Sequence, residues 1–225
     1  KGVMISHANV MHNLEMIRQG FDIQPGESES PGNGVFWLPA YHDMGLIGGI
    51  LETLYVGGRS VLMSPTSFLQ RPMRWLQAMS DYRARVSGAP NFAYDLCVAK
   101  TTPEQRAALD LTAWEVAFCG AEPISVDSLE RFAEAFEVSG FRSDAFYPCY
   151  GLAESTLLAS GGRGPAAPTI KQVSAAALSD NRVEEATAES GDARRLVGCG
   201  QALDGHEIAI VDPDTGSASG DDEVG

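Results

Sequence analysis

The stretch VAFCGAEPISVDSLERFAEAFE, residues 116–137, carries the pattern that decides the fold. Its first three residues, Val116 to Phe118, form a short apolar run typical of a buried strand. Residues 125–137 repeat apolar side chains at helical spacing and therefore predict an amphipathic helix. A strand that leads through a small turn into a helix is half of a βαβ unit, the building block of parallel sheets.

The same alternation of strand and helix continues on both sides of this stretch. Ser6 is placed to cap a first helix, in which Val10, Leu14 and Ile17 follow the 3.6-residue period. Further strands are predicted at 35–38, 60–63, near 86 and at 145–147, and further helices at 44–56, 73–79, 91–99 and 103–109. The sequence therefore predicts an α/β fold with parallel-sheet layers flanked by helices.

Composition and charge restrict the partners of the chain. Its 225 residues include 16 Lys+Arg against 30 Asp+Glu, a formal net charge of −14, so no nucleic acid partner is expected. No apolar run approaches the roughly 18 residues of a membrane span, and the first residues lack a secretory pattern. These features predict a cytoplasmic protein without membrane insertion. The four cysteines lack CxxC spacing and are predicted to be buried free thiols.

The sequence divides into three parts. Residues 1–162 hold the strand and helix pattern. Residues 163–195, rich in Ala, Ser, Pro and charged side chains, predict an insertion or an exposed excursion. Residues 196–225 predict the start of a β-rich unit, with a strand at 208–211. Because the chain opens abruptly at Lys1 and ends without a cap, we expect an internal piece of a longer polypeptide, with its first and third parts incomplete.

Three polar loops follow predicted strands, at 39–45, 119–123 and 148–156. Binding sites in parallel α/β folds collect at the carboxyl ends of strands, so these loops are the candidate site. In the first loop, His42 stands beside Asp43. This histidine either contacts a substrate anion or is a loop residue bonded to its neighbour.

The other two loops have similar alternatives. Gly120 and Ala121 leave the backbone bare, which suits a flat ligand such as a purine or an ordinary strand-to-helix turn. Tyr150 and Glu154 are able to stack on a base and to hold Mg²⁺, or they are a buried tyrosine and a helix-capping glutamate. No GxSxG elbow, GxxxxGK(S/T) loop or strand-linked GxGxxG occurs, so those nucleophile and nucleotide signatures are excluded.

Longer segments around these loops resemble the fatty acyl-AMP ligases. This family belongs to the adenylate-forming superfamily, with acyl-CoA synthetases, peptide-synthetase adenylation domains and luciferases. The start of the chain, KGV with SHAN at 6–9, is similar to the end of the family's phosphate-loop motif. The matching segments stand in the family's order: WLPAYHDMGLIGGIL (37–51), SPTSFLQRPMRWL (64–76), SGAPNFAYDLC (87–97), FCGAEPI (118–124) and FYPCYGLAESTLLASGG (146–162).

The resemblance implies a role for each matching position. His42 is the implied catalytic residue, near the acyl carboxylate and the phosphate. Glu154 is similar to the family's Mg²⁺-binding carboxylate. The implied acyl-binding residues are Gly88, Pro90 and Asn91. The implied nucleotide-binding residues are Gly120, Ala121, Glu122, Pro123, Cys149, Tyr150, Gly151, Leu152 and Ala153.

The resemblance also implies a function. ATP and Mg²⁺ would serve to convert a fatty acid into an acyl-adenylate, which passes to an acyl carrier protein or a polyketide or peptide synthase. Residues 163–195 resemble the insertion that accompanies poor use of coenzyme A. The alternatives are an acyl-CoA synthetase and a non-catalytic nucleotide-binding or acyl-binding remnant. Because the glycine-rich phosphate loop and the mobile C-terminal domain are missing, we expect these 225 residues alone to be inactive.

Overall fold

The computed structural model describes residues 2–24, 33–162, 168–187 and 190–224. The first helix, α1, runs from His7 to Gly20. The predicted cap is confirmed, because Ser6 Oγ accepts a hydrogen bond from the Asn9 backbone N–H at 3.1 Å. The apolar face of α1 is buried, including Leu14 and Ile17.

Five parallel strands form the central sheet. They are β1 (Gly34–Phe36), β2 (Ser60–Leu62), β3 (Val86–Gly88), β4 (Val116–Cys119) and β5 (Phe146–Pro148), in the spatial order β2-β1-β3-β4-β5. The predicted α/β class is confirmed. In a sheet of this order the connections leave in opposite directions from β1 and β3, which opens a crevice at the carboxyl ends of the strands.

Helices connect these strands. A π-helical segment, Met44–Leu51, continues directly into α2 (Glu52–Tyr55). The other connections contain α3 (Pro65–Gln70), α4 (Met73–Asp81), α5 (Asn91–Ala99), α6 (Pro103–Ala107) and α7 (Val126–Phe136). Ser125 caps α7, the helix predicted from the opening stretch, by accepting a hydrogen bond from the Ser128 N–H at 3.3 Å. None of the described helices is long and apolar enough to cross a bilayer.

The strands divide the apolar residues between two layers, because successive side chains of a strand point to opposite faces. Ala117 and Phe146 pack into one buried cluster with α4, α5 and α7. The next residue of each strand, Phe118 and Tyr147, belongs to the cluster on the opposite face. Helices therefore cover both faces, as the predicted fold class requires.

The cysteines are free thiols. Cys97 and Cys119 are buried, and Cys149 and Cys199 are half-buried. In the described part of the chain, no three His, Cys, Asp or Glu side chains are grouped closely enough to hold a metal ion. The prediction of buried free thiols is confirmed for Cys97 and Cys119, whereas Cys149 and Cys199 are free but only partly buried.

Antiparallel structure follows the parallel sheet. Strands β6 (Tyr150–Gly151), β7 (Leu158–Gly161) and, later, β10 (Gln201–Ala202) form a small sheet in the order β10-β7-β6. Between β7 and β10 lies a hairpin of β8 (Ile170–Ser174) and β9 (Ala193–Val197), with α8 (Ala175–Ser179) in its connection. Strand β9 runs across the predicted boundary at 195.

The strand predicted at 208–211 is wrong. Its side chains are exposed, and the segment makes only an isolated bridge from Val211 to Ala218. The turn between them is held by Asp212, whose Oδ1 accepts a hydrogen bond from the Thr215 N–H at 2.7 Å. An apolar run needs a neighbouring strand to become part of a sheet, and no described strand lies beside this one.

Candidate functional site

The carboxyl ends of the strands open into a cavity of about 260 Å³. The loops after β1, β4 and β5 contribute polar side chains and bare backbone to its lining, and α1, the π-helix and the segment before β7 contribute mainly apolar residues. Its lining consists of Ile17, Phe21, His42, Asp43, Met44, Gly48, Phe118, Gly120, Ala121, Cys149, Gly151, Leu152, Leu157 and Leu158. The three loops singled out by the sequence therefore converge on one site.

The loop after β4 presents bare backbone to the cavity. A Cβ added to Gly120 would lie 2.8 Å from the Cys149 carbonyl oxygen, so the two loops approach as closely as a glycine allows. The next residue, Ala121, has a φ of 67°, which costs an alanine about 1 kcal/mol or more. Strain of this kind persists only where the surroundings hold it, so this loop is fixed in advance of any ligand.

Asn91 holds that loop in place. Its side chain is buried and donates from Nδ2 to the Pro123 carbonyl at 2.6 Å, while Oδ1 accepts from the Ser125 N–H at 3.1 Å. On the outside of the loop, Glu122 Oε1 accepts a hydrogen bond from the Phe92 N–H at the start of α5. The side chain predicted to border an acyl chain thus supports the loop after β4.

The loop after β5 closes on itself. Gly151 is needed there, because an added Cβ would lie 2.0 Å from the Leu157 carbonyl oxygen. The Leu152 N–H donates to the same oxygen at 2.9 Å. Thr156, with φ 71° and ψ −58°, is the centre of a γ-turn in which the Leu157 N–H donates to the Ser155 carbonyl. The chain from 151 to 157 is therefore a tight loop with a fixed outline.

Glu154 lies at the tip of this loop. Its carboxylate is exposed and receives no hydrogen bond or ion pair from the described residues. Mg²⁺ at nucleotide sites is commonly held by one or two carboxylates together with substrate phosphates and water. A single free carboxylate on a loop that lines the cavity fits such an ion, and a cage made only of protein ligands is not required.

His42 and Asp43 form a pair at the mouth of the cavity. The Nδ1 atom of His42 lies 2.8 Å from Asp43 Oδ1, and that oxygen also accepts the Met44 N–H at 2.7 Å. Because Nδ1 is engaged, Nε2 is the ring nitrogen left for a ligand. The histidine is bonded to its neighbour, which is one of the two alternatives drawn from the sequence, and it also lines the cavity. Its contact with a substrate anion stays a prediction.

Asn13 is a site residue that the sequence reasoning missed. It is 1% exposed on α1. Its Nδ2 donates to the carbonyls of Leu158 at 2.8 Å and Ser155 at 3.2 Å, and its Oδ1 accepts the Leu158 N–H at 3.0 Å. This clamp fixes the loop that carries Glu154. The sequence feature that could have indicated Asn13 is an amide side chain among the apolar positions of the first helix.

The predicted site residues fall into three groups. Six line the cavity: His42, Gly120, Ala121, Cys149, Gly151 and Leu152. Five lie in the same loops outside its lining: Glu122, Pro123, Tyr150, Ala153 and Glu154. Tyr150 among them is 52% exposed and pairs with Ser160 across β6 and β7. The other three, Gly88, Pro90 and Asn91, lie behind the site, where a Cβ at Gly88 would meet the Phe118 carbonyl at 2.1 Å.

The carboxyl group of Glu52 is buried directly after the π-helical segment Met44–Leu51, which contributes to the lining of the cavity. Glu52 is 4% exposed, and neither of its oxygens accepts a hydrogen bond from the described residues. Burial raises the pKa of Glu52 to about 8, and the negative charge of Glu15 adds to the effect. Hydrogen bonds from Arg18, Gln19 and Tyr55 instead lower the pKa of Glu15 to about 2.

Known proteins are similar to this chain in sequence and in fold. A family model described as AMP-binding enzyme matches residues 1–225. The medium-chain-fatty-acid–acyl-carrier-protein ligase TtuA of Teredinibacter turnerae is 43% identical over 225 residues, which cover 100% of this chain and 34% of that protein. The chain thus spans about a third of the length of this relative.

Solved structures agree with the sequence match. The crystal structure of a fatty acid AMP ligase from Legionella pneumophila superposes with a TM-score of 0.91 at 43% identity, covering 99% of this chain and 38% of that one. A fatty acyl-adenylate ligase from L. pneumophila in complex with acyl adenylate and pyrophosphate gives a TM-score of 0.86 at 43% identity, over 96% and 37% of the two chains.

Proposed function

The chain belongs to the AMP-binding enzyme family, and on that premise we propose that the protein containing it activates a fatty acid with ATP. A carboxylate oxygen of the acid attacks the α-phosphorus of ATP. The new O–P bond forms as the bond to the bridging oxygen of the leaving pyrophosphate breaks, which yields acyl-AMP. In a second step a carrier thiol attacks the acyl carbonyl, and AMP leaves as the thioester forms.

The observation that carries this proposal is the mixed lining of the cavity. It offers bare backbone at Gly120 and Ala121 and the imidazole of His42, which suits a nucleotide and an anionic reaction centre. It also offers apolar side chains, which suit a hydrocarbon chain. Both reactants are anions, so catalysis requires mainly that they be positioned and that charge be neutralised.

The residues at the mouth supply part of that neutralisation. When the His42 ring carries its proton at Nε2, Nδ1 accepts the hydrogen bond from the Met44 N–H at 3.2 Å, and Nε2–H can donate to a carboxylate or phosphate oxygen. Glu154 would hold Mg²⁺ against the phosphates. Bound there, the ion would withdraw negative charge from the phosphate oxygens. The backbone loops at 120–121 and 149–152 would hold the adenosine part.

We place the acyl chain beside α1 and the π-helix. The apolar lining there consists of Ile17, Phe21, Met44, Leu157 and Leu158. This placement differs from the one implied by the resemblance. Gly88 is closed off by Phe118, and Asn91 is engaged with the loop after β4, so we propose that residues 88–91 support the site without touching the chain.

Enlarging Gly48 should shorten the acyl chain that the enzyme accepts. A Cβ at Gly48 meets only Leu157 Cδ2, at 3.3 Å, so Gly48→Leu fits by displacing a flexible side chain and fills part of the cavity. Each methylene that loses its buried contact costs about 0.8 kcal/mol. We expect kcat/KM for acyl-AMP formation to fall roughly 10- to 100-fold with long-chain acids and to change little with short ones.

Gly191→Leu is the matched control for this substitution, because a Cβ at Gly191 meets nothing within 4 Å. The measurement is pyrophosphate release across a series of fatty acids of increasing length. An equal loss at every chain length, or no loss at all, would show that the chain does not run past Gly48.

We further propose that residues 163–195 form the insertion typical of fatty acyl-AMP ligases. Two described features support it. Arg195 on β9 pairs with Asp127 at 3.3 Å and with Glu130, both on α7, and Val173 on β8 is buried. The hairpin is therefore attached to the α/β core, as an element that restrains a neighbouring domain would have to be.

A further inference from the structure

The segment that follows β2 carries two arginines that have no ion pair among the described residues. Arg71 ends α3 and Arg74 lies in the first turn of α4, and both side chains are exposed. Arg74 donates to the Ser67 carbonyl at 3.2 Å, and neither arginine has an ion pair within the described ranges. Seven other arginines are paired with acids: Arg18, Arg83, Arg85, Arg131, Arg142, Arg182 and Arg195.

Large apolar side chains are exposed in the same stretch of the chain. Leu62, at the end of β2, is 56% exposed, and Leu69 in α3 is 54% exposed. Arg71 and Arg74 line one end of a cleft of about 280 Å³ that follows α4. The acid in this cleft, Asp81, lies two helical turns from Arg74, about 10 Å along the axis, and accepts a hydrogen bond from Gln77.

The segment that follows β2 begins at the same end of the parallel strands as the cavity. Leu62 and α3 follow the carboxyl end of β2, and the cavity lies at the carboxyl ends of β1, β4 and β5. Strands β2 and β4 are three positions apart in the sheet, which corresponds to about 14 Å. A partner bound to the segment after β2 could therefore reach the cavity with an extended flexible arm.

We propose that the docking surface made by Leu62, Leu69, Arg71 and Arg74 binds an acidic helical carrier domain that presents its thiol on such an arm. The inference rests on the proposed function and names the contact used in its second step. A chain of net charge −14 repels an acidic partner over most of its surface. Association then requires a local patch of opposite charge, and exposed leucines in the same segment as two cations suit an amphipathic acidic helix.

The test separates the two reaction steps in the full-length protein. The probe is a holo acyl carrier protein of the acidic helical type, and free pantetheine serves as an uncharged thiol acceptor. The double variant Arg71→Glu/Arg74→Glu should raise the KM for the carrier about tenfold or more at low salt. Its acyl-AMP formation and its transfer to pantetheine should stay within about twofold of the wild type.

Arg59→Glu is the matched control, because Arg59 is an exposed arginine before β2, at the opposite end of that strand from Leu62, and has no ion pair among the described residues. Added salt should weaken carrier use by the wild type and by Arg59→Glu, but not by the double variant. The milder pair Arg71→Gln/Arg74→Gln should give an intermediate KM.

Three results would overturn the inference or its premise. An unchanged carrier KM in the double variant rejects the docking surface. A loss of transfer to pantetheine equal to the loss with the carrier assigns the effect to the site and rejects docking as well. If the wild type forms no acyl-AMP, the proposed function fails, independently of the arginines.

Discussion

Replacing Glu52 with glutamine should stabilise the protein, and the gain should grow with pH. The buried carboxyl group has a pKa of about 8 in the folded protein against 4.5 for an ordinary glutamate. Between these values unfolding releases a proton from Glu52, so the free energy of unfolding falls as the pH rises. At about 1.4 kcal/mol per pH unit, the effect across this window is on the order of 5 kcal/mol.

The measurement is denaturant unfolding of the wild type and Glu52→Gln from pH 5 to pH 8. The two free energies of unfolding should be similar near pH 5 and should diverge steadily above it. Glu134→Gln, an exposed glutamate on α7, should stay within about 0.5 kcal/mol of the wild type throughout. A constant difference between the wild type and Glu52→Gln at every pH would show that Glu52 is ionised or paired in the folded protein.

Replacing Asn13 with alanine should remove both stability and activity. The substitution leaves the N–H and the carbonyl of Leu158 without their side-chain partner in a buried environment. An unsatisfied buried group costs about 1–3 kcal/mol, so the loss should be roughly 3–5 kcal/mol. Because the same amide fixes Ser155, the loop bearing Glu154 should loosen, and acyl-AMP formation should fall more than 10-fold even where the protein remains folded.

The comparison for this variant is Gln19→Ala, which removes an exposed amide from the same helix. That control should lose less than about 1 kcal/mol and keep its activity. Adding saturating ATP should not restore the rate of Asn13→Ala, since the loop position and not the affinity alone is altered. If Asn13→Ala is as active as Gln19→Ala, the clamp has no part in positioning the site.

Local sequence patterns predicted most of the fold. Each strand and helix of the parallel sheet depends on a short run of residues, and the period of its apolar side chains decides which element forms. The segment 91–99 was predicted as a helix and is α5 over the same residues. At 208–211, by contrast, the apolar run predicted a strand. Whether such a run becomes a strand depends on a second strand lying beside it, and the local sequence pattern does not show whether one does.

The site was predicted only in part, because its supports connect residues far apart in the chain. The loops at 42, 120 and 149–152 were found from glycines and polar residues at strand ends. Asn13 and Leu158, 145 positions apart, meet only after the sheet has formed. The apolar pattern of residues 44–51 predicts a helix but does not show that its hydrogen bonding is π-helical. The pattern also does not show that Glu52, the next residue, is buried.

In the reaction that we propose, a fatty acid is joined to AMP in this cavity and its acyl group is then transferred to a carrier thiol. The most direct measurement incubates the full-length protein with ATP, Mg²⁺ and dodecanoic acid, with and without coenzyme A, and identifies the acyl product by mass spectrometry. We predict acyl-AMP that persists in the presence of coenzyme A and is consumed when a holo carrier protein is added. Release of acyl-CoA would assign the protein to the synthetases, and no adenylate with any chain length would leave only a binding remnant; either result would contradict the account.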